Sequence, residues 1–204
     1  AGWQQGPLYV SANAFDVTVD RPIVFGLDAS GLDTYVNGPR TGSVGVEGEV
    51  RLSGRHGLVA ASWAHYSTGG RNQVPAYEVP GDRDRLLGFA GHTATARGQL
   101  RLPRRVALSS EVRWLSSRDA VSGLDAESNP IVGRIGARAT VNLFASWQPA
   151  AVPGLELGAG VRDLFDAGTS YPQPYLSGAH APLPGPSREF GLRVRYEQAF
   201  ARAD

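Results

Sequence analysis

The segment 186–200, PSREFGLRVRYEQAF, alternates apolar and polar side chains with a period of two. One parity carries the apolar residues Phe190, Leu192, Val194, Tyr196 and Phe200, interrupted only by Gln198. The other parity carries Arg193, Arg195 and Glu197 among small residues. This period predicts a β-strand with one apolar face and one charged face. If the apolar face contacts lipid, the reverse orientation would place each arginine in hydrocarbon, at a cost of about 2 to 4 kcal/mol near the midplane.

Seven further segments predict strands, so the chain as a whole is predicted to be all-β. These segments cover residues 8–25, 43–52, 57–66, about 85–102, 105–116, 133–147 and 154–166. Each is close to the length of about nine to eleven residues that a tilted strand needs to cross a bilayer, and several are longer. The 26 glycines and 14 prolines, with only 19% charged residues, agree with a β-protein rich in turns.

The connections between these strands alternate in length. Those after the second, fourth and sixth strands are short, with the sequences SGRH, PRR and QPAAVP. Those after the first, third, fifth and seventh are long, covering roughly residues 26–41, 67–84, 118–132 and 167–187. This alternation predicts antiparallel strands that run up and down, with all long loops at one end. Outer-membrane barrels have this arrangement, whereas a soluble sandwich has no reason to sort its loops in this way.

Aromatic residues collect at both ends of the predicted strands. Toward the long loops lie Trp63, Tyr66, Phe89, Trp114, Phe165 and Phe190, and toward the short turns lie Trp147, Tyr196 and Phe200. Two such belts are expected where strands cross a bilayer. The competing explanation is that large β-forming residues favour strand ends and core positions, and Phe15 and Phe144 fit the belts poorly.

Composition narrows the functional classes. The net charge is +1, and the 20 basic residues are all arginines dispersed along the strands, so the sequence offers no patch for nucleic acid. The absence of cysteine excludes disulfides, thiolate metal sites and cysteine nucleophiles. There is no methionine, even at position 1, and no leader sequence is visible, so we expect a mature chain or a fragment of a longer protein.

Signals of catalysis are poor. The sequence contains no nucleophile elbow, no His-Glu-x-x-His and no phosphate-binding glycine loop. The histidines His56, His65, His92 and His180 lack the spacing of metal ligands and are interpreted as structural or solvent-exposed. Asp82 and Asp84 lie beside arginines in a long loop, where local ion pairs are the simpler explanation than a cation site. We therefore predict no enzyme, no metal site and no cofactor.

Four segments resemble one known family. GVRDLFD (160–166) resembles the Gly-x-x-Asn-Leu-Phe-Asp signature near the end of TonB-dependent outer-membrane receptors, and GVEGEVRL (45–52) resembles their Gly-Val-Glu strand. PSREFGLRVRYEQAF resembles their closing strand, and FDVTVDRPIVF (15–25) the long strand upstream. The sequence departs from the pattern at Asp163, where asparagine is usual, at Ser187, where glycine is common, and in the ARAD that follows Phe200.

The resemblance implies an antiparallel up-and-down transmembrane β-barrel, with residues 1–204 as one segment of about eight strands from a 22-stranded barrel. The plug domain and the segment that contacts TonB would lie outside this sequence. The implied function is TonB-dependent uptake of a siderophore or a similar nutrient across the bacterial outer membrane. The implied partners are outer-membrane lipid, the plug, TonB and a small-molecule ligand such as a ferric siderophore. The alternative is a free-standing eight-stranded outer-membrane barrel with a structural or binding role, since an even strand number allows closure.

Two groups of residues are candidates for function. The candidates for ligand contact lie in the long loops: Tyr35, Asn37, Arg40, Tyr77, Arg83, Arg118, Tyr171, Tyr175 and His180. Tyrosine and arginine provide large contact area and directed hydrogen bonds. The charges expected to face the lumen include Glu47, Glu49, Arg113, Arg138, Arg162, Arg193 and Arg195. They would either contribute to the path of an anionic ligand or form charge pairs that only keep the lumen polar, and the second interpretation is favoured.

Overall fold

The computed structural model describes residues 1–27, 29–127, 129–172 and 182–197, and its main element is one open antiparallel sheet of nine strands. The strands are β1 (Gly2–Gln5), β2 (Leu8–Val19), β3 (Thr41–Gly54), β4 (Gly57–Ser67), β5 (His92–Leu102), β6 (Val106–Leu115), β7 (Arg138–Trp147), β8 (Leu155–Arg162) and β9 (Glu189–Tyr196). Each strand pairs with the next one in this order, which confirms the predicted up-and-down all-β arrangement. No helix among the described residues has the length and apolar character needed to cross a membrane.

Four long loops lie at one end of the sheet, the loop end, and the short turns at the other, the turn end. We name them loop 1 (residues 20–40), loop 2 (68–91), loop 3 (116–137) and loop 4 (163–188). Each contains a small hairpin: Ile23–Leu27 with Asp33–Asn37, Glu78–Val79 with Asp82–Leu86, Arg118–Leu124 with Pro130–Ile135, and Ser170–Tyr171 with Leu183–Pro184. Short 3-10 turns occur at Pro75–Tyr77 in loop 2 and at Pro103–Arg105 between β5 and β6.

The sheet has nine strands against the predicted number of about eight, because the four-residue strand β1 also pairs with β2. Four predicted strands were too long: the first ends at Val19, the fourth begins at His92, the sixth begins at Arg138, and the seventh ends at Arg162. Part of the excess in the first, fourth and sixth segments does form β-structure, but it belongs to the loop hairpins. β-propensity measures how well a residue fits a strand, and not which sheet the strand joins. The sequence therefore did not separate strands of the main sheet from strands of the loop hairpins.

The register places apolar residues in continuous rows on one face of the sheet. One row runs from Val10 through Val50, Ala61, Ala96 and Val112 to Val141. The opposite face carries rows of polar residues, one of which contains Ser11, Glu49, Ser62, Thr95, Arg113 and Thr140. Because side chains alternate along every strand, the aligned registers produce one apolar face and one polar face across the whole sheet.

The apolar face is exposed, and the buried apolar residues lie elsewhere. The exposed fractions are 48% for Leu100, 41% for Leu143 and 90% for Leu192. The buried apolar residues among the described part of the chain are Val24, Val74, Val79, Ala90 and Ala120, and all of them lie in the loops. A continuous apolar surface of this kind marks contact with another apolar phase.

Aromatic residues on the apolar face mark two levels. Trp63 and Trp114 flank Ala94 in one row near the loop end, and Trp147 lies opposite Val106 at the turn end. From the Trp114 row to the Trp147 row, the strand covers roughly 26 Å, which a tilt of about 40° shortens to roughly 20 Å. This separation is close to the height of the apolar band of a membrane barrel, about 25 Å.

Two aromatic residues that fitted the predicted belts poorly lie on the polar face, where they pack over glycines. A Cβ atom on Gly45 would lie 2.5 Å from Phe15 Cζ, and one on Gly158 would lie 2.4 Å from Phe144 Cζ. The guanidinium carbon of Arg193 lies 4.6 Å from the centre of the Phe144 ring on the same face. Tyr66 also belongs to the polar face, so its placement in an outer belt was wrong.

The sheet does not close on itself. β1 pairs only with the first residues of β2, and the two outermost strands, β1 and β9, do not pair with each other in the described structure. The second edge of β9 therefore has no strand partner among the described residues.

Candidate functional site

The segment 160–166 forms the corner at which β8 ends and loop 4 begins. Asp163 is buried and has a positive φ of 48°, a conformation that asparagine and aspartate tolerate better than most residues. Its backbone N–H donates to Asn142 Oδ1 over 3.0 Å, and its carboxylate accepts from the backbone N–H groups of Ala167 and Gly168. The Asp163 carboxylate therefore caps the backbone of the corner.

The same corner holds the start of the returning strand. Asp166, also at a positive φ of 52°, accepts from the backbone N–H of Arg188 over 2.9 Å. The side chain of Arg188 donates to the backbone carbonyl of Leu164 over 3.3 Å. The segment 160–166 therefore helps to set the register between β8 and β9 at the loop end.

Beneath the loops, against the polar face, lies a cavity of about 770 Å³, which we call the loop-end cavity. Four arginines line it: Arg113 of β6, Arg118 of loop 3, Arg138 of β7 and Arg162 of β8. Two carboxylates, those of Asp163 and Glu189, also line it. Tyr66, Phe89 and Tyr171 add aromatic surface.

The two carboxylates of the loop-end cavity already have partners. Glu189 lies 3.4 Å from the Nη1 atom of Arg162, and Asp163 is committed to the backbone of its own corner. Arg113, Arg118 and Arg138 have no carboxylate partner among the residues that the structure describes. The cavity therefore has an excess of positive charge, held on three arginines from three different elements.

Arg118 is the most buried of these arginines, with 8% of the residue exposed. Its Nη2 atom donates to the backbone carbonyl of Ser170 over 2.5 Å, which connects loop 3 to loop 4. Its Nε atom is buried and has no hydrogen-bond partner in the described part of the chain. Buried donors are nearly always paired in folded proteins, so this guanidinium has unused capacity to bind an acceptor.

Of the loop residues predicted to contact a ligand, the structure brings Arg118 and Tyr171 to the loop-end cavity. The predicted residues of loops 1 and 2 are not among its lining residues: Tyr35, Asn37, Arg40, Tyr77 and Arg83. Tyr35 packs edge-on against Phe25, and Arg40 forms an ion pair with Asp20 over 2.7 Å. Tyr175 and His180 lie outside the described residues. Whether any of these side chains contacts a ligand remains a prediction.

The charges predicted to face a lumen all lie on the polar face, but they separate into two groups. Arg113, Arg138 and Arg162 line the loop-end cavity. Toward the turn end, charges pair within the sheet: Arg193 with Glu156, Arg195 with Glu197, and Arg97 with Glu111 over 3.6 Å. Glu47 and Glu49 lie on the same face of β3 beside Ala64 and Ser62. The interpretation that charge pairs only keep the face polar therefore fits the turn end, where the charges are paired, better than the loop end.

Most of the other lining residues were not among the predicted candidates, and Tyr66 and Asn142 are two examples. Tyr66 meets Phe89 edge-on with ring centres 6.0 Å apart, and Asn142 supports the corner at Asp163. The alternation of side chains along β4 could have placed Tyr66 on the polar face, because it lies on the same face as Ser62 and Ala64. Nothing in the sequence distinguishes Asn142 from the other polar residues of β7.

Loops 2, 3 and 4 form a connected roof over the cavity. Arg85 of loop 2 donates to Asp82 and, over 2.6 Å, to Asp119 of loop 3. The hydrogen bond from Arg85 and a second from the backbone N–H of Asp84 hold the pKa of Asp82 below its usual value. The backbone N–H of Gly88 donates to the carbonyl of Asp119 over 2.7 Å. The predicted local ion pair is therefore present at Asp82, and Arg85 also joins two loops through Asp119.

Replacing Asp119 with alanine is expected to loosen the contact between loops 2 and 3. The Asp119 carboxylate is mostly buried, with 14% of its side chain exposed, but Arg85 would retain Asp82, so we expect a loss of about 1 kcal/mol. That loss corresponds to roughly fivefold faster trypsin cleavage of the folded protein at the loop 2 arginines, provided that opening of the loops is fast relative to cleavage. Glu78→Ala is the control, because Glu78 meets only the 85% exposed Arg83. Equal cleavage rates in the two variants would contradict the role of Asp119.

The histidines do not gather into a metal site in the described part of the chain, where no group of three or more potential ligands is present. His65 and His92 are direct cross-strand neighbours whose rings stack 4.3 Å apart, and Trp63 stacks on both. His56 lies in a turn and contacts Arg55. These arrangements agree with the structural role predicted for these three residues.

The family model described as "TonB dependent receptor-like, beta-barrel" matches residues 1–164. No curated protein is similar enough in sequence to count as a match. Solved structures with the same fold include transporters and receptors.

Three of these structures are representative. The FrpB iron transporter from Neisseria meningitidis (F3-3 variant) has a TM-score of 0.66 and 17% identity over 96% of this chain and 30% of that chain. The siderophore receptor PirA from Acinetobacter baumannii has a TM-score of 0.70 and 14% identity, over 96% and 30%. The ferripyoverdine receptor of Pseudomonas aeruginosa, bound to ferripyoverdine, has a TM-score of 0.65 and 14% identity, over 94% and 25%. The chain thus spans less than a third of the length of each.

Proposed function

Because the chain belongs to the TonB-dependent receptor-like β-barrel family, we propose that it forms part of the wall of an outer-membrane receptor that imports a siderophore or a similar scarce nutrient. In this proposal the apolar face contacts outer-membrane lipid and the loops face the outside of the bacterium. The protein would bind and transport its ligand without altering it chemically.

The observation that carries this proposal is the location of the loop-end cavity. It lies on the polar face, beneath the roof formed by loops 2, 3 and 4, and it combines arginine and tyrosine side chains. In a barrel whose apolar face meets lipid, such a cavity opens toward the interior at the outer end. A ligand entering between the loops would reach these side chains first.

A plug domain and TonB are the protein partners in this proposal, and both would be contacted through parts of the receptor outside residues 1–204. The polar face toward the turn end would meet the plug, and the paired charges there would keep that face hydrated. The remaining strands of a 22-stranded barrel would pair with the outer edges of β1 and β9.

The alternative of a free-standing eight-stranded barrel is not favoured by the described structure. The sheet has nine strands, and its outermost strands do not pair with each other. Bacterial single-chain barrels have an even number of strands and no open edge, because unpaired backbone groups are costly in lipid.

The proposed function can be tested by uptake in the bacterium that encodes this chain. Deletion of the receptor gene is expected to reduce accumulation of radiolabelled iron from a siderophore by at least tenfold under iron limitation. A protonophore should abolish uptake in the wild type, since transport through TonB depends on the inner-membrane proton gradient, while binding to the cells persists. Fractionation should place the protein in the outer membrane. Uptake that is unchanged by the deletion for every nutrient tested would contradict the proposal.

A further inference from the structure

We propose that the loop-end cavity selects a ligand that carries several negatively charged oxygens, and that Arg113, Arg118 and Arg138 bind them. This inference rests on the proposed function and specifies the chemical class of the ligand. It excludes uncharged ligands as the preferred substrates of this receptor.

The first basis is the charge that the cavity does not compensate. Four arginines and two carboxylates line it, and both carboxylates have partners of their own. Of the three arginines without a carboxylate partner, Arg118 is buried, Arg138 is half-buried and Arg113 is exposed. A guanidinium that is removed from water is costly unless an anion or a set of acceptors binds it. A bound anion would compensate these charges, whereas a neutral ligand would displace water from them without compensation.

The second basis is the burial of Arg118. More than nine-tenths of this residue is buried, one hydrogen bond anchors its Nη2 atom, and its Nε atom has no partner among the described residues. The anchor to the Ser170 carbonyl restricts the guanidinium before a ligand arrives, which lowers the entropic cost of binding. A small shift of the side chain would bring its free donors to a ligand oxygen.

The third basis is that the arginines come from independent elements. Arg113 and Arg138 project from neighbouring strands, two positions apart in the register of β6 with β7, and Arg118 comes from the loop above them. Arginine forms directed, charge-assisted hydrogen bonds with planar oxygen acids, so such a set can hold several acidic groups of one ligand. Carboxylates and deprotonated catechols both supply these oxygens.

The test measures binding of three probes to the purified, full-length receptor that contains this chain. The probes are ferric citrate, an anionic ferric tricatecholate and an uncharged ferric trihydroxamate. We expect one of the two anionic probes to bind at least tenfold more tightly than the uncharged one, and the tighter of the two identifies the acid group. Its affinity should fall as salt is raised, because exposed parts of the cavity are screened.

Substitutions then assign the residues. Arg138→Gln and Arg113→Gln should each weaken binding of the anionic probe by about tenfold or more, since a hydrogen bond to a charged group is lost. Arg134→Gln is the matched control, because Arg134 lies in the hairpin of loop 3, donates to Ser117 and does not line the cavity. Arg118→Lys keeps the charge but removes the guanidinium donors, so it should weaken binding while loops 3 and 4 stay resistant to trypsin.

Three results would overturn the inference. Preference for the uncharged probe, with no effect of Arg138→Gln, would contradict the anionic site while leaving uptake by the receptor intact. Equal effects of Arg134→Gln and Arg138→Gln would show that net charge acts at a distance and that the cavity does not bind the anion. Binding of none of the three probes, together with unchanged uptake in the deletion strain, would contradict the proposed function itself.

Discussion

Leu143→Arg is expected to destabilise the receptor by about 2 to 4 kcal/mol in a lipid bilayer, since it places a guanidinium on the apolar face near the midplane. Leu143 lies halfway along β7 between Ala139, which is opposite Trp114, and Trp147 at the turn end. It is 41% exposed and pairs with Ser110 and Val161. The effect therefore depends on which phase covers the apolar face. The free energy of unfolding in urea, measured in vesicles, reports it.

Ser109→Arg is the matched control, since Ser109 lies at the same depth on the polar face, opposite Phe144 and Gln99. An arginine there would face a second cavity, which Ser109 and Glu111 line together, so we expect a change of less than about 1 kcal/mol. If the two substitutions destabilise the receptor equally, the apolar face does not contact lipid. A larger effect of Ser109→Arg would mean that the assignment of the two faces is reversed.

Gly45→Ala is expected to cost about 1 to 3 kcal/mol, because the added methyl group has no space between β3 and its neighbours. The Cβ atom would lie 2.2 Å from the backbone carbonyl oxygen of His65 and 2.5 Å from Phe15 Cζ. The ring of Phe15 can move, but the carbonyl belongs to the paired strand β4, so the strands would have to separate locally. The fraction of receptor that shows heat-modifiable gel migration should fall with the free energy of unfolding.

Gly48→Ala provides the comparison, since Gly48 lies on the same strand and its nearest neighbour, the Ser11 carbonyl oxygen, would be 3.9 Å from the new Cβ. We expect this variant to be as stable as the wild type, or slightly more stable because the unfolded chain loses conformational freedom. If both glycines tolerate alanine, the close approach of Phe15 and His65 does not limit the packing of β3. Phe15→Leu combined with Gly45→Ala should recover only part of the loss, because the contact with the carbonyl remains.

Much of the fold could be predicted because its signals are local. The alternation in Glu189–Tyr196 and in Val106–Leu115 indicates strands without knowledge of their neighbours. The sorted lengths of the connections predict the up-and-down order. The errors arose at the loop end, where segments such as Ile23–Leu27 have strand propensity and pair within a loop instead of joining the main sheet.

Less of the candidate site could be predicted, because it depends on contacts between distant residues. Arg118 and Ser170 are 52 positions apart, and Arg85 and Asp119 are 34 apart. Parity assigns Arg138 and Arg193 to the same face, yet it does not show that Glu156 pairs with Arg193. The sequence therefore identified the residue types of the site without indicating which of them share a cavity.

The sequence by itself determined that each strand has an apolar and a charged face. Successive side chains of a strand point to opposite faces, so the alternation along the sequence assigns them without knowledge of any tertiary contact. It also determined the antiparallel order, since short turns can join only adjacent strands. The tertiary structure alone decided which arginines remain without carboxylate partners, how three loops form one roof, and why Gly45 must be glycine. Those properties follow from side chains meeting across the sheet, and the register that brings them together is a property of the whole fold.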